Sequence, residues 1–398
     1  MPRSRSSRRH LTLLVTAAVA AALGLATAVP GTAVAAPTAP SAVTVDVQTY
    51  NLDLGADLTP LFGASDLPSL ITGAATVYAT VAASQPAERM AAIARIVAKQ
   101  RPDVLGLQEV AQWATAPWSV VGGYPVAGTY TVTYDFLALL QDALAAEGVA
   151  YDAVSTDVTF NSQLAVPIAI PISVSPPVAA RYIDRNVVLV RHGSSATTAN
   201  EQADNFTATF HVTLLGAPID VNRGWASIDV TQRGRTLRLF DTHLEAYGVP
   251  GTLKDQIRNP QAAELAGVVA SSPYPTLVVG DINARPTMCG DARVPKQFDD
   301  DNVVAYTTLA AVPLTESWPA VHPKDPCAPA SWTSGQDALT GPVSTLSHRI
   351  DDVFMSSEFS ALQSFVVGDT AAELSTPHGL WPSDHASTVA KLRLDADS

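Results

Sequence analysis

Thr276–Ala284 reads TLVVGDINA. Thr276 to Val279 form an apolar, largely β-branched run of the kind seen in strands buried on both faces. Gly280 ends the run, and then a carboxylate, Asp281, and an amide, Asn283, follow two residues apart. Such a strand belongs inside a layered α/β fold, so these polar groups stand at its end, where loops diverge and ligands bind.

The same arrangement recurs along the chain. TYNLDLG brings Asn51 to the end of a first strand, and DVLGLQEV brings Glu109 to the end of a second. LFDTHLEAYG brings Asp241, His243 and Glu245, SHRIDDVF brings Asp351 and Asp352, and WPSDHAS brings Asp384 and His385. The strands are predicted at Thr44–Tyr50, Val104–Leu107, Val187–Val190, Thr236–Phe240, Thr276–Val279, Ile350–Met355 and Ser387–Leu394. Helical periodicity covers Glu88–Lys99, Tyr134–Glu147 and Gln256–Ala270. A single strand-end aspartate is ordinarily a turn former or a helix cap, and a lone histidine ordinarily packs in a core. Six polar groupings at separate strand ends make a stronger case. Carboxylates and amides are hard oxygen ligands that suit Mg²⁺, Mn²⁺ or Ca²⁺, and two histidines suit proton transfer near neutral pH. A hard cation with an imidazole is a kit for attacking phosphate.

These motifs, in this order, resemble the endonuclease/exonuclease/phosphatase superfamily of metal-dependent phosphohydrolases, over about Thr44 to Leu394. The specific set is Asn51, Glu109, T-H-L (Thr242–Leu244), G-D-x-N (Gly280–Asn283), R-I-D (Arg349–Asp351) and S-D-H (Ser383–His385). The resemblance implies an α/β four-layer sandwich of two mixed β-sheets flanked by helices. It implies Glu109 as the principal metal ligand, Asn51 beside it as ligand or orienting group, and Asp384 completing the acidic cluster. Asp281 matches the aspartate that aligns the attacking water or holds a second metal, and Asn283 the amide on a phosphate oxygen. His385 matches the histidine at the reaction centre, Asp351 the carboxylate that orients it, and His243 a second histidine that steadies phosphate or helps protonate the leaving oxygen. Arg185, in YIDRNVVLV, matches an arginine that contacts phosphate in deoxyribonuclease-like members, an ordinary surface arginine being the other reading. The implied cofactor is Mg²⁺, with Mn²⁺ or Ca²⁺ as alternatives. Departures are Ile282 where an aromatic is usual, read as core packing, and Asp352, read as altering the pocket or facing solvent. Glu245 is read either as a partner of His243 or as a solvated acid.

The first 36 residues carry four arginines, an apolar Ala/Leu run and a small-residue ending at Ala33–Ala36, as a cleaved signal peptide does. Ser7–Leu13 also resembles a twin-arginine signal, with ordinary secretion the alternative route. Residues 37–43 read as a Pro/Ala linker, and 44–398 as one domain. Hydrophobic residues at 47% and charged ones at 15% describe a chain with a large core. Removal of the leader's four arginines takes the net charge from −13 to −17, which disfavours a groove gripping nucleic acid by its phosphates. Cys289 and Cys327 lack a C-x-x-C pattern, and in an exported chain they can pair as a disulfide.

Ala56–Gln85 and Trp113–Ala180 read as decorations on the fold. Within the second, Leu164–Ala180 is apolar but holds four prolines, so it is a loop or packed edge strand, or else a lip touching lipid or an apolar substrate. No G-x-S-x-G elbow, P-loop or H-E-x-x-H motif occurs, and Asp241-Thr-His243 with Gly280-Asp281 lacks the later G-N-H segment of calcineurin-like phosphoesterases. The expectation is an exported, divalent-metal-dependent phosphodiesterase using a His/Asp-activated water on phospholipid, nucleic acid or a small diester, with transient membrane-surface contact and no obligate protein partner. The alternatives are a nuclease, or a silent binding protein on the same fold.

Overall fold

The computed structural model describes residues 42–161, 169–246, 255–289, 303–336 and 338–395. The leader and nearly all of the linker lie outside them. In chain order the strands are β1 (Val43–Asn51), β2 (Val104–Gln108), β3 (Gln112–Val121), β4 (Tyr124–Ala127), β5 (Thr131–Asp135), β6 (Tyr151–Asn161), β7 (Ile170–Val174), β8 (Pro177–Arg191) and β9 (Ala196–Asn205). There follow β10 (Phe210–Leu214), β11 (Ala217–Val221), β12 (Gly224–Gln232), β13 (Arg235–His243), β14 (Thr276–Asp281), β15 (Leu314–Glu316), β16 (Asp351–Ser356), β17 (Phe359–Val367) and β18 (Ser387–Leu394).

Two mixed sheets result. The first runs β17-β18-β1-β2-β8-β3-β4, with β5 on β3 and with β6 and β7 on β8; the second runs β15-β16-β14-β13-β12-β9. Strands β1 and β2 are parallel, as are β13 and β14, and the other pairings are antiparallel. The sheets meet through one apolar layer, with Val45, Val47, Val104 and Leu392 from the first against Ile228, Leu239, Val279 and Val353 from the second. Helices Leu67–Ala83, Pro86–Gln100 and Phe136–Ala146 cover the outside of the first sheet. Helices Asp255–Ala270 and Val304–Ala311 cover the second. This is the expected four-layer sandwich. The strand that opened the sequence argument, β14, is buried along its whole length between β13 and β16. Each such fully buried Val or Leu side chain contributes about 1.5–3 kcal/mol by leaving water.

Ala56–Gln85 and Trp113–Ala180 are more than decoration. The first contains the 17-residue helix Leu67–Ala83, which buries Leu70, Ala74, Val77 and Val81 and is started by a capping box between Asp66 and Ser69. The second supplies β3 to β7 and a covering helix; β3, β6 and β7 pair along the long strand β8, and β4 and β5 pair with β3. Residues 162–168 lie outside the described ones. In the part of the proline-rich run that follows them, Ile170–Val174 form the edge strand β7 and residues 177–180 open β8, on which β7 folds back.

At Gly280 the backbone has φ +140°, and a Cβ there would sit 1.9 Å from the Thr242 carbonyl oxygen. Only glycine lets β13 and β14 approach at this point, where both are about to deliver side chains into the site.

Candidate active site

Both sheets end at the same place. From the first come Asn51 at the end of β1, Glu109 just after β2, and Asp384 and His385 just before β18. From the second come His243 at the end of β13, Asp281 at the end of β14, Asn283 two residues later and Asp351 at the start of β16. Of these, Glu109, His243, Asp281, Asn283, Asp384 and His385 line one cavity of about 250 Å³.

Asp281 is the hub. Its Oδ2 accepts a hydrogen bond from Asn51 Nδ2 at 3.1 Å and lies 3.5 Å from His243 Nε2 and 3.8 Å from His385 Nε2. Its Oδ1 accepts from the Asn283 backbone N–H at 2.9 Å. Burial and the neighbouring Asp351 push its carboxyl up to about 6. The Asn51 Oδ1 in turn accepts from the Asp53 N–H, so the Asn51 amide is held between Asp53 and Asp281.

The two histidines differ. His385 Nδ1 donates to Asp351 Oδ2 at 2.8 Å. Burial alone would lower its pKa, but Asp351, Asp384 and Asp281 together hold it well above the ordinary histidine range. His385 is therefore an imidazolium at neutral pH in the metal-free protein. His243 Nδ1 faces Arg223 Nη1 at 3.0 Å. A guanidinium only donates, so Nδ1 accepts and Nε2 carries the ring proton. Burial, Arg223 and His385 hold this pKa well below the ordinary value, so His243 is neutral.

Glu109 has φ +53°, a left-handed conformation that turns the chain at the end of β2, and its Oε2 accepts from the Leu54 N–H at 2.7 Å. Burial first, then Asp384, Asp184 and Asp53, push its carboxyl up to about 8, and burial and Asp53 push Asp384 up to about 7. Oxygen donors that destabilise one another's charge beside a cavity fit a hard divalent cation. Among the described residues, the one group of three titratable ligands lying within 4.8 Å of one another is Asp281, Asp351 and His385. Glu109 and Asp384 lie outside that group, and Asp384 raises the Glu109 pKa across the same cavity. Asn283, at φ +49°, lines the cavity and uses one amide N–H on the Leu244 carbonyl at 2.8 Å.

Arg185 is not brought to this site. Its guanidinium donates to Asp135 Oδ1 at 2.6 Å and to the Val110 carbonyl at 2.9 Å, fastening β8 to the end of β5. The arginine that lines the cavity among the described residues is Arg223, which lies 3.5 Å from both Asp184 Oδ2 and Glu245 Oε2. Arg223 stands at the foot of β12, a strand that sequence periodicity missed. Asp184 and Arg185 are adjacent on β8, and one step along a strand exchanges its two faces, so Asp184 reaches the cavity and Arg185 does not. Glu245 is buried and reaches His243 through Arg223. Asp352 neither alters the pocket nor faces solvent. It lies buried beside Arg349 and Glu316, on the opposite side of β16 from Asp351. Asp241 is also structural, accepting from Gln108 Nε2 inside the layered core at 2.6 Å. Ile282 packs in the outer core as expected.

The family model for the endonuclease/exonuclease/phosphatase family matches residues 49–385. The chain belongs to that family. Its members hydrolyse phosphoester bonds with a divalent metal. A family protein from Bacteroides thetaiotaomicron is similar in structure, with TM-score 0.50 at 16% identity, covering 89% of this chain and 99% of that one. A Beutenbergia cavernae endonuclease/exonuclease/phosphatase is 20% identical with TM-score 0.47, covering 88% and 72%. D. rerio TDP2, solved with a single-strand DNA product, is 14% identical with TM-score 0.49, covering 88% and 98%. No curated protein matches the chain in sequence.

Proposed function

We propose that this chain is an exported, divalent-metal-dependent phosphodiesterase. The observation that supports this best is the meeting of Asp281 Oδ2 with Nε2 of both histidines, one held charged by Asp351 and one held neutral by Arg223. Three different protonation tasks stand around one small volume. Asp281, a carboxylate whose pKa lies near 6, accepts a proton from water. With Nδ1 fixed on Asp351, His385 presents Nε2 to this volume, where its protonated form donates to an anionic phosphate oxygen, and the Asn283 amide offers a neutral donor beside it. His243 Nε2–H steadies the phosphate or protonates the departing oxygen. Glu109 and Asp384 would hold Mg²⁺, Mn²⁺ or Ca²⁺, and the bound cation supplies positive charge against the phosphate.

Phospholipid, nucleic acid and small diesters all fit this centre. The leader sequence supports export, as does the Cys289–Cys327 disulfide, a bond that persists in oxidising compartments. The test is hydrolysis of bis-p-nitrophenyl phosphate with Mg²⁺ or Mn²⁺, abolished by EDTA. Absence of metal-dependent turnover on any phosphate ester would favour the silent binding protein. Efficient nicking of plasmid DNA, with sphingomyelin and small diesters untouched, would favour the nuclease.

A further inference from the structure

The cavity that holds the catalytic carboxylates does not stop at them. Its floor is polar, but most of the rest of its wall is apolar, and several separate pieces of chain build that wall, residues 54–62 among them. The helix Leu67–Ala83 contributes Ala74 and Val77, the edge strand β7 contributes Ile172, and the β10–β11 hairpin contributes Val212, Leu214 and Ile219. That hairpin joins neither of the two large sheets. It packs its own small core against the helix, with Leu70, Leu214 and Ile219 in one cluster separate from the main ones. Chain is thus invested in enclosing an apolar pouch that opens directly onto Glu109, His243 and His385. Trp113, stacked on Tyr182 at 4.6 Å, stands on the same wall.

We infer that the centre takes phosphodiesters bearing an apolar alkyl or acyl chain, the phosphate lying on the polar floor and the chain in the pouch. This deepens the phosphodiesterase reading and rests on it. A cavity polar at one end and apolar at the other matches an amphiphile. A continuous nucleic-acid strand instead needs cations along its path, and the one arginine or lysine lining this cavity among the described residues, Arg223, already faces Asp184 and Glu245.

The test is a series of p-nitrophenyl alkyl phosphates from methyl to dodecyl, each below its micellar concentration, with Mg²⁺. Each methylene transferred from water into the pouch should raise kcat/KM about threefold to fourfold, until the pouch is full and the rise stops. In parallel, Trp113 fluorescence should report binding of n-alkylphosphonates that tightens with chain length, independently of turnover. Val212→Asp and Leu61→Asp, each placing a charge on the half-buried wall, should flatten both dependences. Hydrolysis of the methyl ester with no chain-length dependence would overturn the inference and leave the phosphodiesterase standing. Chain-length-dependent phosphonate binding without hydrolysis of any ester would keep the pouch and overturn the phosphodiesterase. Plasmid DNA cut more efficiently than every alkyl ester would overturn the inference.

Discussion

Asp351→Asn changes the site by one charge and almost no volume. Asp351 is fully buried, and its Oδ2 accepts from His385 Nδ1 at 2.8 Å. An amide oxygen can still accept that hydrogen bond, so geometry survives while the negative charge is lost. A hydrogen bond to a charged partner contributes about 1.5–3 kcal/mol, against about 0.5–1.5 for a neutral one, so the imidazolium loses roughly 1–2 kcal/mol of support. If that support acts on the phosphate in the transition state, kcat/KM falls roughly 5- to 30-fold. The direction of the pH effect follows from the same bond. Asp351 raises the His385 pKa, so its neutralisation lowers that pKa and moves the alkaline limb of the rate profile to lower pH. The assay is kcat/KM from pH 5 to 9 on bis-p-nitrophenyl phosphate at saturating Mg²⁺, with thermal unfolding as a control for the fold. A variant within twofold of the parent at every pH, with its alkaline limb unmoved, would refute the reasoning.

Glu109→Gln keeps the Leu54 contact but halves the charge of the Glu109–Asp384 pair, so the Mg²⁺ concentration for half-maximal activity should rise at least ~10-fold; an unchanged metal titration would remove Glu109 from the cation site. Metal-free protein should lose stability as pH rises from about 4.5 to about 8 and level off above that. Folded carboxyls near 8 (Glu109, Asp157) and 7 (Asp384) keep their protons in this interval while those of the unfolded chain have ionised, so each step up in pH favours the unfolded chain until the folded groups ionise too. Added Mg²⁺ should suppress the Glu109 and Asp384 part of that decline, and a pH-independent melting temperature in EDTA would contradict it. Reduction of Cys289–Cys327, which closes a loop of sequence separation 38, should cost about 4 kcal/mol of unfolding free energy in urea with and without dithiothreitol.

The layered fold was legible because its central strands are apolar on both faces. Thr276–Val279 and Val104–Leu107 admit no other reading, and each ends in a motif residue. The helix Leu67–Ala83 was not read from the sequence, where Ala56–Gln85 passed for decoration. Leu70, Ala74, Val77 and Val81 follow helical spacing behind an Asp-x-x-Ser cap, but Ala and Thr on the exposed face blur the contrast that marks amphipathicity. The Asp281, His385 and Asp351 grouping was carried by motifs. Arg223 was not, because it stands alone before a strand whose partners, β9 and β13, lie on either side of it in the sheet. Arg185 misled because its neighbour Asp184 holds the inward-facing place on the strand, and sequence alone does not fix which of two adjacent residues faces in.

Each sheet holds only part of the chemistry, and the hydrogen bonds that cross between the sheets include two within the site, Asn51 to Asp281 and His385 to Asp351. Catalysis is therefore a gauge of how the two slabs are docked. Mild denaturant that lets one slide on the other should silence turnover while circular dichroism still reports intact strands. In such a protein the loss of function precedes the loss of form.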